Sequence, residues 1–316
     1  MHQDLQHTVV GIDVSKNTLD CNVSGQPDVT TFTYDTKGLD ALVKKVRSHD
    51  APLVVMEATG RYERRLADHL VDHDIAASVV NPRDVRYFAR AHNQLAKTDA
   101  IDARMITRFG QQMDCPRYRK PSAAEAKLQA CITRREQAVG MRTAESNRLQ
   151  QTDDAAMRTL IRHSIAMFDR QIARIDAMID AVTTGDEDMR RRRDILESVP
   201  GIGRQTAAML IAALPELGSV GRNQIARLIG VAPTNRDSGT MRGRRTTGGG
   251  RVAVRTALYM PIVSATRWNP VIRARYKHLR QRGKPAKVAL VACLRKLIIT
   301  LNAMIRDQRP WTPVKA

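Results

Sequence analysis

The amino-acid sequence predicts an α/β domain followed by an all-α remainder, and three observations carry that prediction. Up to about residue 118, short apolar runs of strand length alternate with stretches of helical spacing. From residue 123 onward the apolar positions recur every three or four residues over long stretches. Between the two lies the segment 116–121, PRYRKP, a proline-bracketed basic linker. At 316 residues the chain is long enough for two or three domains, and the expected divisions are 1–118, 119–189 and 190–316.

In chain order, residues 7–13 (HTVVGID) form an apolar run ending in Asp13 and read as a strand. Residues 19–23 and 30–34 alternate as the next two, joined as a hairpin through Gly25, Gln26, Pro27 and Asp28. Leu39, Leu42, Val43 and Val46 give residues 37–49 helical spacing. Pro52 opens a strand over 53–57 that ends in Glu57, ahead of Ala58, Thr59 and Gly60. A helix over 62–73, a strand over 76–80 and further helix after Asn81-Pro82 follow. The order β-β-β-α-β-α-β-α is that of a ribonuclease-H-like fold. In such a fold the first strand supplies one acid, the fourth strand another and a late helix the rest.

That late helix begins at Lys97-Thr98-Asp99-Ala100-Ile101-Asp102-Ala103, with Thr98 as N-cap. Asp99 and Asp102 are three apart and leave one face of the helix. Two acids there have two readings: compensation of the helix dipole, or metal ligation. Asp13 and Glu57 likewise read as a turn acid and a helix-capping acid, or as ligands. Four carboxylates converging would repel unless a cation sat among them, and oxygen donors in that number suit Mg²⁺ or Mn²⁺. Two such ions would stabilise the attacking and leaving oxygens of phosphoryl transfer.

Past the linker, residues 123–153 are polar and helix-favouring. Residues 157–183 carry Leu160, Ile161, Ile165, Phe168, Ile172, Ile175 and Ile179 at a spacing that suits an antiparallel helical hairpin or coiled coil. It serves either as internal support or as a dimerisation arm. Arg190 to Arg193 open the basic half, as a solvated face or a phosphate contact. The stretch 195–208 resembles a helix-hairpin-helix, in which Gly201 and Gly203 allow a tight turn and the helix starting near Arg204 offers N–H groups to a phosphate. A short helix over 225–230 precedes a polar, basic loop over 232–250. Helices over 252–264 and 286–304 close the chain, with 267–283 between them.

In that loop Asp237-Ser238-Gly239 is ordinary turn chemistry, and it also places a hydroxyl among cations. A serine nucleophile needs activation by a base, or by metal and positive charge. Arg236, Arg242, Arg244, Arg245 and Arg251 stand near it in sequence and are candidate phosphate contacts. Tyr259 and Tyr276 are rival nucleophiles.

Composition narrows the partners. The formal charge is +20, and residues 190–316 hold 26 of the 52 Lys and Arg against five acids. A half this basic reads as a nucleic-acid surface, because phosphate contacts release condensed counterions. Cys21, Cys115, Cys131 and Cys293 are widely spaced without a CxxC, so reduced thiols in a cytoplasmic protein are expected and zinc is not. No uninterrupted apolar run of about 18 residues and no signal-peptide pattern stand in the sequence, so membrane insertion and export are not expected.

Six blocks, in this order, resemble one family. They are Gly11-Ile12-Asp13-Val14-Ser15-Lys16, Met56-Glu57-Ala58-Thr59-Gly60, Val80-Asn81-Pro82, Lys97-Thr98-Asp99-Ala100-Ile101-Asp102-Ala103-Arg104, Pro200-Gly201-Ile202-Gly203 and Ala257-Leu258-Tyr259-Met260-Pro261. The chain is similar over nearly its whole length to the DEDD insertion-sequence transposases, the "IS one-ten" family that includes the Piv and MooV invertases. The resemblance implies a RuvC-like N-terminal domain, a coiled-coil middle and a C-terminal transposase domain. It implies Mg²⁺ at Asp13, Glu57, Asp99 and Asp102, and a covalent phosphoserine link from Ser238 to DNA. It further implies donor and target DNA as substrates, a bridge RNA that pairs with both, and homodimers that join into a tetramer. A prokaryotic, nucleoid-associated location goes with it. The rival expectation is a RuvC-like junction endonuclease in which metal-activated water attacks and Ser238 is only a turn.

Overall fold

A computed structural model of the chain describes residues 8–94, 99–235, 238, 241, 243 and 245–312, with backbone alone for 99–101. The chain divides into two compact units, Met1–Lys120 and Pro121–Ala316, and the division falls within the expected linker.

The first unit is mixed α/β. Its elements are β1 (Val9–Val14), β2 (Thr18–Val23), β3 (Val29–Thr33), α1 (Thr36–Arg47), β4 (Leu53–Glu57), α2 (Tyr62–Asp72), β5 (Ala76–Val80), α3 (Pro82–Ala91) and α4 (Asp99–Gln112). The strands form one five-stranded sheet in the order β3-β2-β1-β4-β5. β1, β2 and β3 pair antiparallel, while β1, β4 and β5 pair parallel. This arrangement is compatible with the ribonuclease-H-like expectation.

Strand alternation sends apolar side chains to both faces. Val10, Ile12, Val14, Leu19, Cys21, Val54 and Met56 pack on one face with Leu39, Leu42 and Val46 of α1 and Leu66 and Leu70 of α2. On the other face Val9, Leu53 and Val55 meet Met105, Ile106 and Phe109 of α4 and Val85 of α3. Each such side chain, fully buried, contributes about 1.5–3 kcal/mol. Helix ends are set locally: Asp35 caps α1 by accepting from the Gly38 amide, and Asn81 caps α3 ahead of Pro82.

Among the described residues, the named elements of the second unit are all helices. α5 (Ala123–Gln151) and α6 (Ala155–Gly185) are joined by residues 152–154. Ser122 and Glu125 form a capping box at the start of α5, and Asp154 caps α6. Arg135 pairs with Asp176 and Arg142 with Asp169, so residue numbers fall along α6 as they rise along α5, and the two helices are antiparallel. Then come α7 (Glu187–Glu197), α8 (Arg204–Ala213), α9 (Arg222–Leu228), α10 (Val252–Ala257), α11 (Tyr259–Trp268), α12 (Pro270–Gln281) and α13 (Ala286–Asp307). Leu128, Cys131 and Ile132 of α5 and Ile175 and Ile179 of α6 share one core with α7–α13. All four cysteines are free and buried.

Four details differ from the sequence-based expectations. The expected single helix over 252–264 breaks at Leu258, because Pro261 cannot donate to the carbonyl of Ala257 and its ring crowds it. Residues 270–281, expected only as a connection, form α12, whose start is signalled by the Asn269 cap and Pro270 at its first position. Within the arginine run, Arg192 and Arg193 turn inward, bonding to the Leu217 carbonyl and the Thr183 hydroxyl. Finally, α13 is long and apolar enough by composition to cross a membrane, yet its Leu290, Leu294, Leu297, Ile298 and Leu301 lie in the core.

Candidate active site and nucleic-acid surface

The acids of the first unit are placed by register. Ile12 of β1 stands beside Met56 of β4 in the parallel pair, and both are fully buried on the α1–α2 face. Alternation therefore turns their successors, Asp13 and Glu57, to the other face at the same end of adjacent strands. Both are half-buried there. β1 returns into β2 through a turn in which the Ser15 hydroxyl accepts from the Thr18 amide at 2.9 Å. β4 leads into α2 through Gly60 and Arg61, both at positive φ, and the buried Glu63 carboxylate accepts from the Thr59 amide at 2.9 Å.

α4 crosses this same face antiparallel to β1. A Cβ on Gly110 would lie 2.7 Å from Val9, and one on Gly11 would lie 2.4 Å from the Thr107 amide nitrogen and 2.6 Å from the Ala103 carbonyl. Continuing in that direction brings the N-terminal turns of α4 alongside Asp13. Asp102, half-buried, is on those turns. Asp99 begins the helix, but its side chain, like Thr98, lies outside the described residues.

One acid escaped the sequence reading. Asp20 on β2 lies directly opposite Asp13, on the same face, and is buried. Its carboxylate accepts from the Thr31 hydroxyl at 2.5 Å. The signal available was the register of the β1–β2 hairpin, which pairs positions 13 and 20.

In the second unit α7 and α8 are joined by a turn closed by the Ile202 amide on the Val199 carbonyl at 2.9 Å. Gly201 has φ +101°, and a Cβ there would sit 3.0 Å from the Ala265 nitrogen. Gly203 starts α8 in open space, with no side-chain cap on the helix's free N–H groups. Arg204 is exposed and pairs with Asp180 at 3.0 Å.

The loop expected to carry the serine is anchored at its base. Thr234 and Thr246 bridge antiparallel, and Ser238 and Met241 exchange backbone hydrogen bonds of 3.0 and 2.9 Å. Gly250, at φ +62°, passes so close to α9 that a Cβ would lie 2.5 Å from the Gly230 nitrogen. Arg251 grips both Glu216 oxygens at 2.6 Å and the Ala213 carbonyl at 2.9 Å. Ser238 and Arg245 are exposed, while Arg236, Arg242 and Arg244 lie outside the described residues.

Comparisons with known proteins agree along the chain. Residues 10–157 match the IS110-type DEDD family model described as "Transposase", and residues 193–277 match the "Transposase IS116/IS110/IS902 family". A pilin gene-inverting protein of Moraxella bovis is 29% identical over 318 aligned residues, covering 97% of this chain and 98% of that protein. Its Moraxella lacunata counterpart is similar to the same extent. A protein of insertion element IS110 from Streptomyces coelicolor is 33% identical over 115 residues, which is 36% of this chain and 28% of that protein.

Proposed function

The chain belongs to the IS110 family of transposases, and on that premise we propose that it cuts and rejoins DNA at Asp13, Glu57, Asp99 and Asp102 through a serine-linked intermediate. That it is a DNA transposase or recombinase follows from the family itself, as does the use of a divalent metal. The observation that carries the finer reading is the seating of α4 on β1 at Gly11, which gives Asp102 the same end of the same sheet face as Asp13 and Glu57. The donors are hard carboxylate oxygens, a set that suits Mg²⁺ or Mn²⁺. Such a cation supplies Lewis-acid polarisation of a phosphate oxygen.

In this reading the first unit is RuvC-like and holds the scissile phosphate at the four acids. Ser238 Oγ of a second copy attacks phosphorus as the bond to the leaving sugar oxygen breaks, and the hydroxyl proton ends on that oxygen. Arg245, with Arg236, Arg242 and Arg244, neutralises the charge that develops. Arg251 serves by anchoring the loop, since its donors are engaged with Glu216 and Ala213. Gly203 and Arg204 offer the helix-hairpin-helix contact to a DNA or RNA backbone, while Gly201 shapes its turn. A bridge RNA paired with donor and target DNA fits the basic half, in which no acid stands between Asp237 and Asp307. The coiled coil of α5 and α6 supports assembly into dimers and then a tetramer, in a cytoplasmic, nucleoid-associated setting. The Moraxella relatives are named as pilin gene-inverting proteins, and cutting and rejoining of DNA is what such an inversion requires.

The test is to trap cleaved DNA and ask whether protein is attached. Wild-type chain should yield a covalent adduct, and Ser238→Ala should lose it while still binding DNA. Undiminished adduct in Ser238→Ala moves the nucleophile elsewhere. Cleavage with no adduct in the wild type instead assigns the attack to water.

A further inference from the structure

A second cluster of ligand-type side chains lies on the face of the sheet opposite α4, between α1 and α2, and the DNA chemistry above makes no use of it. Asp40 of α1, His69 of α2 and His73, which caps the C-terminus of α2, each place a ligand atom within 4.8 Å of the other two. The histidines are four apart, so their rings rise from one helix face, with centroids 4.4 Å apart. That spacing is the one by which a helix chelates a transition ion.

Hydrogen bonding fixes what these rings can do. His73 Nδ1 lies 2.8 Å from the His69 carbonyl oxygen. A carbonyl only accepts, so Nδ1 carries a proton, and in the neutral tautomer this leaves the lone pair on Nε2. This is the arrangement by which a backbone carbonyl orients a metal-binding imidazole. His69 Nε2 is shielded from solvent, and its one polar contact among the described residues is with Asp40 Oδ1 at 3.3 Å. The His69 nitrogen and the Asp40 oxygen are close enough for one cation to be shared between them.

We propose that Asp40, His69 and His73 form a transition-metal site of the zinc class, separate from the four acids and clasping α1 to α2. Two imidazoles and one carboxylate suit zinc, and three protein ligands leave a fourth position open. Asp40 and His73 border a cavity of about 480 Å³ that Lys44, Arg47 and Ser48 also line. Their charge selects an anion, hydroxide or phosphate, as the exogenous ligand. The absence of zinc expected from the cysteines was an inference from thiol spacing alone and is silent about this pair of imidazoles.

The experiment counts Zn²⁺ bound per folded chain in excess Mg²⁺, with Co²⁺ as a spectroscopic stand-in. Wild-type chain should bind one more equivalent than the His69→Gln/His73→Gln double variant and show a cobalt visible band that the variant lacks. Asp40→Asn, a change at an exposed position, should weaken the site at least tenfold, since losing even an outer-shell partner of a metal ligand costs about 10–100-fold. Asp13→Asn should keep the equivalent, and the double variant should keep Mg²⁺-dependent DNA cleavage. Equal zinc counts in wild type and double variant overturn the proposal. So does an equivalent that disappears with Asp13→Asn, which would place the zinc at the acids. Should the double variant misfold, unchanged zinc affinity in Asp40→Asn overturns it as well.

Discussion

The Gly11 amide donates to the Thr107 hydroxyl at 3.1 Å, and α4 lies so close to β1 at this point that no side chain fits between them. The same hydroxyl bonds to the Ala103 and Asn22 carbonyls, so Thr107 ties α4 to both β1 and β2. Two turns away along α4 is the segment bearing Asp99 and Asp102. The packing at this glycine therefore sets how closely α4 lies against β1.

Gly11→Ala should lower stability by about 1–3 kcal/mol, the usual range for overpacking, because its Cβ meets backbone atoms that cannot rotate away. It should also weaken Mn²⁺ binding at the acids, since relief comes only from lifting α4. Denaturant midpoints and Mn²⁺ titration check both effects. Loss of stability with undisturbed Mn²⁺ binding would detach the acids from this contact.

Arg251 and Glu216 hold the base of the serine loop. Burial alone would raise the Glu216 carboxyl, but hydrogen bonds and charge from Arg251 outweigh it and keep it below its ordinary value of about 4.5. A carboxyl whose pKa is lowered on folding contributes stability that is complete above the unfolded value. That contribution is lost as the pH falls through the folded value. Arg251→Ala should therefore cost about 1–2 kcal/mol at pH 7, as a partly exposed ion pair screened by solvent. The gap from wild type should close as the pH drops below 4.5. Thermal melts across that window check the sign, and a gap that widens in acid would contradict it.

The first unit was legible in the sequence because its signals are local. Short apolar runs gave β4 and β5 at their observed bounds, and Asn81-Pro82 marked the start of α3. The places of Asp13 and Glu57 near the ends of β1 and β4 were legible for the same reason, since each closes an apolar run. Asp20 was not, because only its register opposite Asp13 shows which face it joins. In the second unit the misses come from proline and from pairing. Pro261 split a continuous apolar pattern into α10 and α11, and Pro270 opened a helix where basic composition suggested a connection. The inward turn of Arg192 and Arg193 depends on the Leu217 carbonyl and Thr183, which are distant in sequence. A run of four arginines does not reveal which of them are already engaged.

The far half of the α5–α6 hairpin exposes Met141, Met157, Leu160 and Met167, with Leu160 at 58%. Apolar side chains in that position fit the proposed pairing of two copies. Leu160→Glu should leave monomer stability within about 0.5 kcal/mol, because the residue buries little within its own chain. It should lower the solution mass from dimer to monomer by light scattering. A variant that stays dimeric would move the interface off this arm.

The two glycines between α7 and α8 answer to different demands, and alanine separates them. Gly201 combines φ +101° with a Cβ position 3.0 Å from the Ala265 backbone nitrogen, so Gly201→Ala carries both backbone strain and crowding. A loss of about 1–3 kcal/mol follows from the strain, with α11 displaced. Gly203 has φ −99° and open space where a Cβ would go, so Gly203→Ala should leave the melting temperature nearly unchanged. If the α8 amides meet a phosphate, the methyl at position 203 stands in the ligand's approach, and Gly203→Ala should weaken DNA or RNA binding without weakening the fold. Melting curves and a salt titration of binding, run on both variants, read out the two roles. A Gly203→Ala chain that binds as tightly as wild type would leave the turn a purely structural connection.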